Sequence, residues 1–256
     1  MVETNDLSSA AKPNKADLVA LIFAFFFPTL VTLIYFQWLK DSESSLQQTA
    51  MGIGKVLQFG FPVVWVWMRH RHKIFRQSSN NAQESAVRSA NDIWIGVGFG
   101  IMVTVAMFSI YFLMLAPTAA GANLTVMIKE KVSGMGIDAP WKYIGLGCFY
   151  ALCHSFLEEY YWRWFVFDLM ESFVSTVTAN ILSSLGFMAH HVVLMGFFFG
   201  WSSPWTYLLS ACVAIGGSFW AWQFKTTGSL RAPWVSHLIV DAGIFSLGYF
   251  LIRDLL

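Results

Sequence analysis

The sequence predicts an all-α, polytopic membrane helix bundle, and three observations lead to that class. Of 256 residues, 56% are hydrophobic and 12% charged; a water-soluble fold of that make-up leaves too much apolar surface without a partner. Apolar runs of about 20 residues, the length that crosses a hydrocarbon core as a helix, recur along the chain. Between two of them, basic residues collect in a single loop, the pattern of a cytoplasmic connection.

About seven transmembrane helices are expected, with an eighth admissible. The spans are approximately 17–39, 51–68, 92–116, 141–169, 179–200, 204–224 and 232–252. The second is short and carries Lys55. Pro28 and Pro62 lie inside spans, where neighbouring helices must satisfy the carbonyls they free. The small-residue rows Gly96, Gly98, Gly100 and Gly216, Gly217 read as close helix contacts and not as a phosphate loop, because no strand precedes them. The segment 117–140, with Lys129, Glu130, Lys131 and Asp138 among apolar residues, reads as a short amphipathic helix at the outer interface.

Orientation follows from charge. The loop 69–91 carries Arg69, Arg71, Lys73, Arg76 and Arg88 against Glu84, which keeps it in the cytoplasm. Seven crossings then put the N-terminal tail, with Lys12 and Lys15, inside as well, together with Lys225 and Arg231, and the C-terminus outside. That tail is polar for too long to be the basic start of a signal peptide. The expected location is the plasma or inner membrane, N-terminus cytoplasmic. A net charge of +1 argues against nucleic acid as a partner. Cys148, Cys153 and Cys212 sit in apolar runs without metal-ligand spacing, as small hydrophobes.

Ionisable groups inside a span are expensive unless partnered, which makes each a functional candidate. The first three spans hold almost none apart from Lys55, whereas the last four hold His154, Glu158, Glu159, Arg163, His190, His191, His237 and Asp241. In the fourth span, His154 and Glu158 share one helical row and Glu159 and Arg163 the next, about 100° away. The Arg163 fork neutralises Glu159, which leaves Glu158 for general-base chemistry; the alternative is a structural polar knot. In the fifth span His191 shares a row with Phe187 and Ser183, while His190, like His154, reads as a hydrogen-bonded packing residue. In the seventh, His237 and Asp241 share a face, and the plainer reading is an Asp that fixes an imidazole tautomer.

Three motifs in order, Glu-Glu-x-x-x-Arg (Glu158, Glu159, Arg163), Phe-x-x-x-His (Phe187, His191) and His-x-x-x-Asn/Asp (His237, Asp241), resemble those of the CPBP family. This family, also called Abi or type II CAAX prenyl proteases, comprises intramembrane endopeptidases. The resemblance covers roughly residues 141–250 and divides the chain into N-terminal transmembrane helices with the basic loop, 1–140, and a catalytic helix core, 141–256. It implies that Glu158 and His191 activate a water and that His237 with Asp241 stabilises the oxyanion, supported by Glu159, Arg163 and Phe187. It implies no cofactor; zinc is the less favoured alternative, since two His and one Glu make a catalytic zinc set but no H-E-x-x-H is present.

Two departures stand out. Asp241 replaces the Asn of many members, and an ionised Asp cannot donate to an oxyanion, so Asp241 is either protonated or orients His237. Trp164 occupies a position where a small residue commonly follows the Arg. The function implied is hydrolysis of peptide bonds in membrane-associated substrates, prenylated or otherwise, within the lipid bilayer. The rivals are a proton-coupled transporter, disfavoured because no internal repeat mirrors the polar C-terminal part, and a non-catalytic membrane scaffold.

Overall fold

The computed structural model describes residues 14–69 and 82–256, with side chains at 14–69 and 91–256. Among the described residues the chain is helical, without a strand. Helix α1 spans Lys15–Leu33 and continues as a π-helical turn, Ile34–Trp38; α2 is Ser44–Arg69. Helix α3 is Ala82–Ile110 with a π-helical end, Tyr111–Leu115, and α4 is Ala119–Gly134. Helix α5, residues 140–170, alternates α-helical Pro140–Cys148, Ser155–Glu159 and Asp168–Met170 with π-helical Phe149–His154 and Tyr160–Phe167. Helices α6, α7 and α8 are Thr176–Phe199, Pro204–Thr227 and Arg231–Ile252.

Each of the seven expected spans falls on a helix, and α4 is the eighth helix among the described residues. Five segments are long and apolar enough to cross a membrane: Lys15–Trp38, Ser44–Arg69, Asn91–Leu115, Thr176–Phe199 and Arg231–Ile252. Helix α5 carries Glu158, Glu159, Arg163 and Asp168, and α7 is diluted by Gly, Ser, Trp and Gln, so neither reaches the same apolar character. The protein is an integral membrane protein, and its outer faces show why: Leu113 is 77%, Val56 73% and Trp94 71% exposed. The basic loop and tail from which orientation is argued fall largely outside the described residues, at 70–81 and 1–13.

Local chemistry sets the helix ends. Asn14 opens α1 with a capping box: its side chain accepts from the backbone N–H of Ala16 and Asp17, and Asp17 returns a bond to the Asn14 N–H. Ser175 and Ser203 cap α6 and α7, and Pro204 stands at the first turn of α7, where a missing N–H costs nothing. Gly228 ends α7 at φ +64°, a left-handed conformation that glycine adopts without steric cost. Pro28 removes the N–H that would pair with the Ala24 carbonyl; the Tyr161 hydroxyl of α5 donates to that oxygen at 2.7 Å. A neighbouring helix thus repairs the proline break.

Helix α3 runs along α8, and α6 along α7. The glycine rows explain the close approach only in part. A Cβ on Gly96 or Gly100 would stand 2.6 Å from the Ala232 carbonyl oxygen or 2.8 Å from that of Ser236, so both glycines seat α3 on α8. Gly98, expected to do the same, faces outward with nothing within 4 Å, because it lies two residues from each and so on another face. Likewise Gly217, not Gly216, is the tight position of α7: its Cβ would meet Phe187 at 3.2 Å, whereas Gly216 has ordinary contact with Trp220 of its own helix. The aromatic core comprises Tyr161, Trp162, Phe165 and Phe167 of α5, Phe187 of α6 and Trp220 of α7, closed by Leu21 and Ala24 of α1.

Candidate active site

The two adjacent glutamates occupy a short α-helical stretch, Ser155–Glu159, between the π-helical segments of α5. A π-helix replaces i→i−4 bonds by i→i−5 bonds and interrupts the regular rows of side chains, a feature that recurs at functional sites. Uniform α-helical rows, assumed from the sequence, therefore hold only locally in this helix. One carbonyl of the first π segment, Leu152 O, accepts from Trp234 Nε1 of α8 at 3.1 Å. The helix is thereby tied to the element that carries His237.

The two carboxylates divide cleanly. Glu159 is fully buried, with Oε2 at 3.1 Å from Arg163 Nε and Oε1 accepting from His237 Nδ1 at 2.7 Å. Arg163 Nη2 donates to the Gly217 carbonyl at 3.1 Å, and its guanidinium lies 4.8 Å from the Phe187 ring centre and 5.3 Å from that of Trp220. Both oxygens of Glu159 are therefore committed to holding other side chains. Glu158 is 3% exposed and has no such commitment. Its Oε1 lies 3.6 Å from His190 Nε2 and 3.7 Å from His154 Nε2, and its Oε2 lies 3.8 Å from His237 Nε2. These separations exceed direct hydrogen bonds and surround the carboxylate with three imidazole nitrogens.

His237 is fixed on all sides. Its Nδ1 is held by Glu159, and its ring stacks on Trp220 at 4.2 Å between centres and 14° between planes. Trp220 is itself anchored, since its Nε1 donates to Ser236 Oγ at 3.0 Å. His237 Nε2 then faces both Glu158 and Asp241, the latter at 3.6 Å. The ring is oriented by Glu159, a partner 78 residues away in sequence, while Asp241 stands beside the opposite ring nitrogen.

His190 and His191 sit side by side on α6 and both reach the cluster. Glu158, His190 and His191 each offer an atom, and the three atoms lie within 4.8 Å of one another. His191 Nδ1 is bonded to the Phe187 carbonyl at 2.9 Å, which leaves Nε2 as its outward nitrogen. His190, expected as a packing residue, is stacked parallel to Trp162 at 5.9 Å and is the histidine nearest Glu158 on this helix. His154, given the same expectation, likewise turns toward Glu158. Phe187 packs edge-on against His190, His191 and His237 and forms the common wall between them. Trp164, the unusual residue after Arg163, stacks on Tyr160 at 5.1 Å.

The structure thus brings Glu158, His154, His190, His191, His237 and Asp241 together, with Glu159 and Arg163 behind them. The cluster is almost closed to solvent; the His154 and Asp241 side chains keep 15% and 14% exposure. Sequence reasoning did not find Trp220 and Ser236, whose residue types are ordinary in an apolar helix, nor the link from Glu159 to His237. Among the comparisons, the family model described as Type II CAAX prenyl endopeptidase Rce1-like matches residues 140–243, the stretch that carries every one of these side chains. No curated protein and no solved structure matches the chain.

Proposed function

We propose, from the match of residues 140–243 to the Rce1-like type II CAAX prenyl endopeptidase family model, that the protein hydrolyses peptide bonds of membrane-associated substrates with Glu158 as general base. The observation that carries the proposal is the division of labour between the glutamates: Glu159 is bound to Arg163 and His237, whereas Glu158 faces three imidazole nitrogens at 3.6–3.8 Å. A water between Glu158 and the histidines gives its proton to the carboxylate, and its oxygen attacks the scissile carbonyl carbon. The carbonyl electron pair moves onto oxygen as a tetrahedral oxyanion. When that intermediate collapses, the carbon–nitrogen bond breaks and the leaving nitrogen takes the proton from Glu158.

His237 suits the oxyanion role because Glu159 and Trp220 preorganise its ring before reaction. As imidazolium it presents Nε2–H to the oxyanion, with Glu159 on Nδ1 and Asp241 beside Nε2. His191, with its Nδ1–H given to Phe187, offers Nε2 to the attacking water. The substrate class that the family name points to is a prenylated protein tail.

The test is cleavage of a dye-labelled farnesylated CAAX peptide by purified protein in lipid nanodiscs. Glu158→Gln removes the base and keeps the shape, and its turnover is expected to fall by about 10²–10⁴-fold, with melting unchanged. Full turnover in that variant would remove Glu158 from the role.

A specific observation supports a second mechanism. Glu158, His190 and His191 make the two-His, one-Glu donor set of catalytic zinc sites, and the bond from His191 Nδ1 to Phe187 leaves Nε2 as the ligand nitrogen. A zinc ion bound there would supply an activated water and polarise the carbonyl. Stoichiometric zinc in active protein, lost with chelator and restored with zinc together with activity, would favour this route over the metal-free one.

A further inference from the structure

Lys55 is the one cation of α2 in the apolar stretch that leads to the catalytic cluster, and nothing so far assigns it a task. Its ammonium lies 5.4 Å from the centre of the Phe59 ring. That ring packs edge-on against His154 at 6.0 Å and Tyr161 at 6.1 Å, so Lys55, Phe59 and His154 form a column ending at Glu158. Lys55 interacts electrostatically with Glu158, His154 and His190. Among the described residues it has no hydrogen bond and no ion pair. The other cation of the site, Arg163, is matched to Glu159 and the Gly217 carbonyl. An ammonium without an ion-pair partner inside a membrane helix bundle is costly and persists where it meets a charged ligand.

We infer that Lys55 is the specificity residue that receives the free C-terminal carboxylate of the substrate peptide. The inference rests on the endopeptidase reading, which places the scissile bond at Glu158. A compact, strongly hydrated ammonium on a flexible stem suits a single carboxylate that arrives from outside, whereas a fixed bidentate partner calls for Arg. Because the column from Lys55 through Phe59 and His154 ends at Glu158, the segment between the cut and the carboxylate is a few residues long: an extended chain advances about 3.3–3.6 Å per residue. The site thereby selects bonds near a free C-terminus over internal bonds of the same sequence. Lys55 makes no direct ion pair with Glu158, whose neighbours within 4 Å are three imidazole nitrogens.

The experiment compares two dye-labelled farnesylated CAAX peptides that differ only at the end, one a carboxylate and one a carboxamide. Binding is measured on the Glu158→Gln background, where no turnover intervenes, and kcat/KM on the active protein. The acid is expected to bind tighter than the amide by roughly tenfold to a hundredfold, the range of a charge-assisted hydrogen bond. Lys55→Met brings the ratio close to one, and Lys55→Arg keeps most of it. Equal affinity of acid and amide in the Lys55-containing protein overturns the inference, as does an acid preference that survives Lys55→Met. A Lys55→Met effect on turnover of both peptides by the same factor, with the acid-to-amide binding ratio intact, assigns Lys55 to the electrostatics of Glu158 instead. If neither peptide is cleaved by the unsubstituted protein, the endopeptidase reading fails by itself, while the binding ratio still decides the fate of Lys55.

Discussion

Two neighbouring carboxylates in one helix have opposite fates, and the cause is what each one touches. Glu159 ties α5 to α8 through His237 and to Arg163 of its own helix, whose Nη2 reaches α7. Removing one member of a buried ion pair leaves an uncompensated charge and costs about 3–5 kcal/mol. Glu159→Ala is therefore expected to lower the melting temperature sharply and to lose activity with the fold, whereas Glu158→Gln loses activity alone. Thermal melts of both variants in the same nanodiscs separate the two roles; equal stabilities would show that Glu159 holds nothing together. The Glu159–Arg163 pair was legible in the sequence because it depends on i,i+4 spacing, which the helix preserves. The Glu159–His237 bond was not, since it joins residues on different helices and no local pattern encodes it.

At the scale of helices, glycine position decides how closely α7 meets its neighbours. A Cβ at Gly217 would stand 3.2 Å from Phe187 and 3.4 Å from Arg163 Nη2, so Gly217→Val pushes on the wall of the site and on the guanidinium together. A loss of about 1–3 kcal/mol is expected for such overpacking, with a matching loss of turnover. Gly98→Val, with nothing within 4 Å, is the control and should melt within about 0.5 kcal/mol of the parent. The sequence placed both glycines in small-residue rows; only helix rotation, set by packing, separated the tight one from the open one.

The end of α8 is linked to α4 by a charged contact whose pH response can be read. The Lys129 ammonium beside Asp254 holds that carboxyl below its ordinary value. A carboxyl with a lowered folded value contributes fully above its unfolded value of about 3.9, and the contribution is lost as pH falls through the lowered one. Amide exchange in 119–134 should be faster in Asp254→Asn than in the parent at pH 7, and the difference should vanish in acid. A difference that persists at pH 2 would show that charge is not its source. Because both side chains are solvated, the effect is small.

For the whole molecule, we propose the orientation in the membrane that the charged loop and tail imply: N-terminus and loop 69–91 in the cytoplasm, C-terminus outside. In a background without Cys148, Cys153 and Cys212, all exposed on the helix surfaces, Lys12→Cys and Asp254→Cys report on the two ends. An impermeant maleimide applied to intact cells is expected to label the cysteine at 254 and to reach that at 12 only after permeabilisation. Labelling of both ends from outside would require an even number of crossings and a different helix count. Labelling of position 12 alone would invert the protein.

By itself the sequence determined the class, the helical segments and the ionisable residues placed within them, because hydropathy and helical spacing act over a few turns and do not need the rest of the chain. The tertiary structure decided which ionisable groups meet: His190 and His154 turned toward Glu158, Glu159 spent on His237, Trp220 stacked beneath the same ring, and Lys55 brought near from α2. Those meetings depend on helix rotation, on the π-helical segments of α5 and on which helices are neighbours. All three are settled by packing between distant parts of the chain, where one-dimensional spacing carries no information.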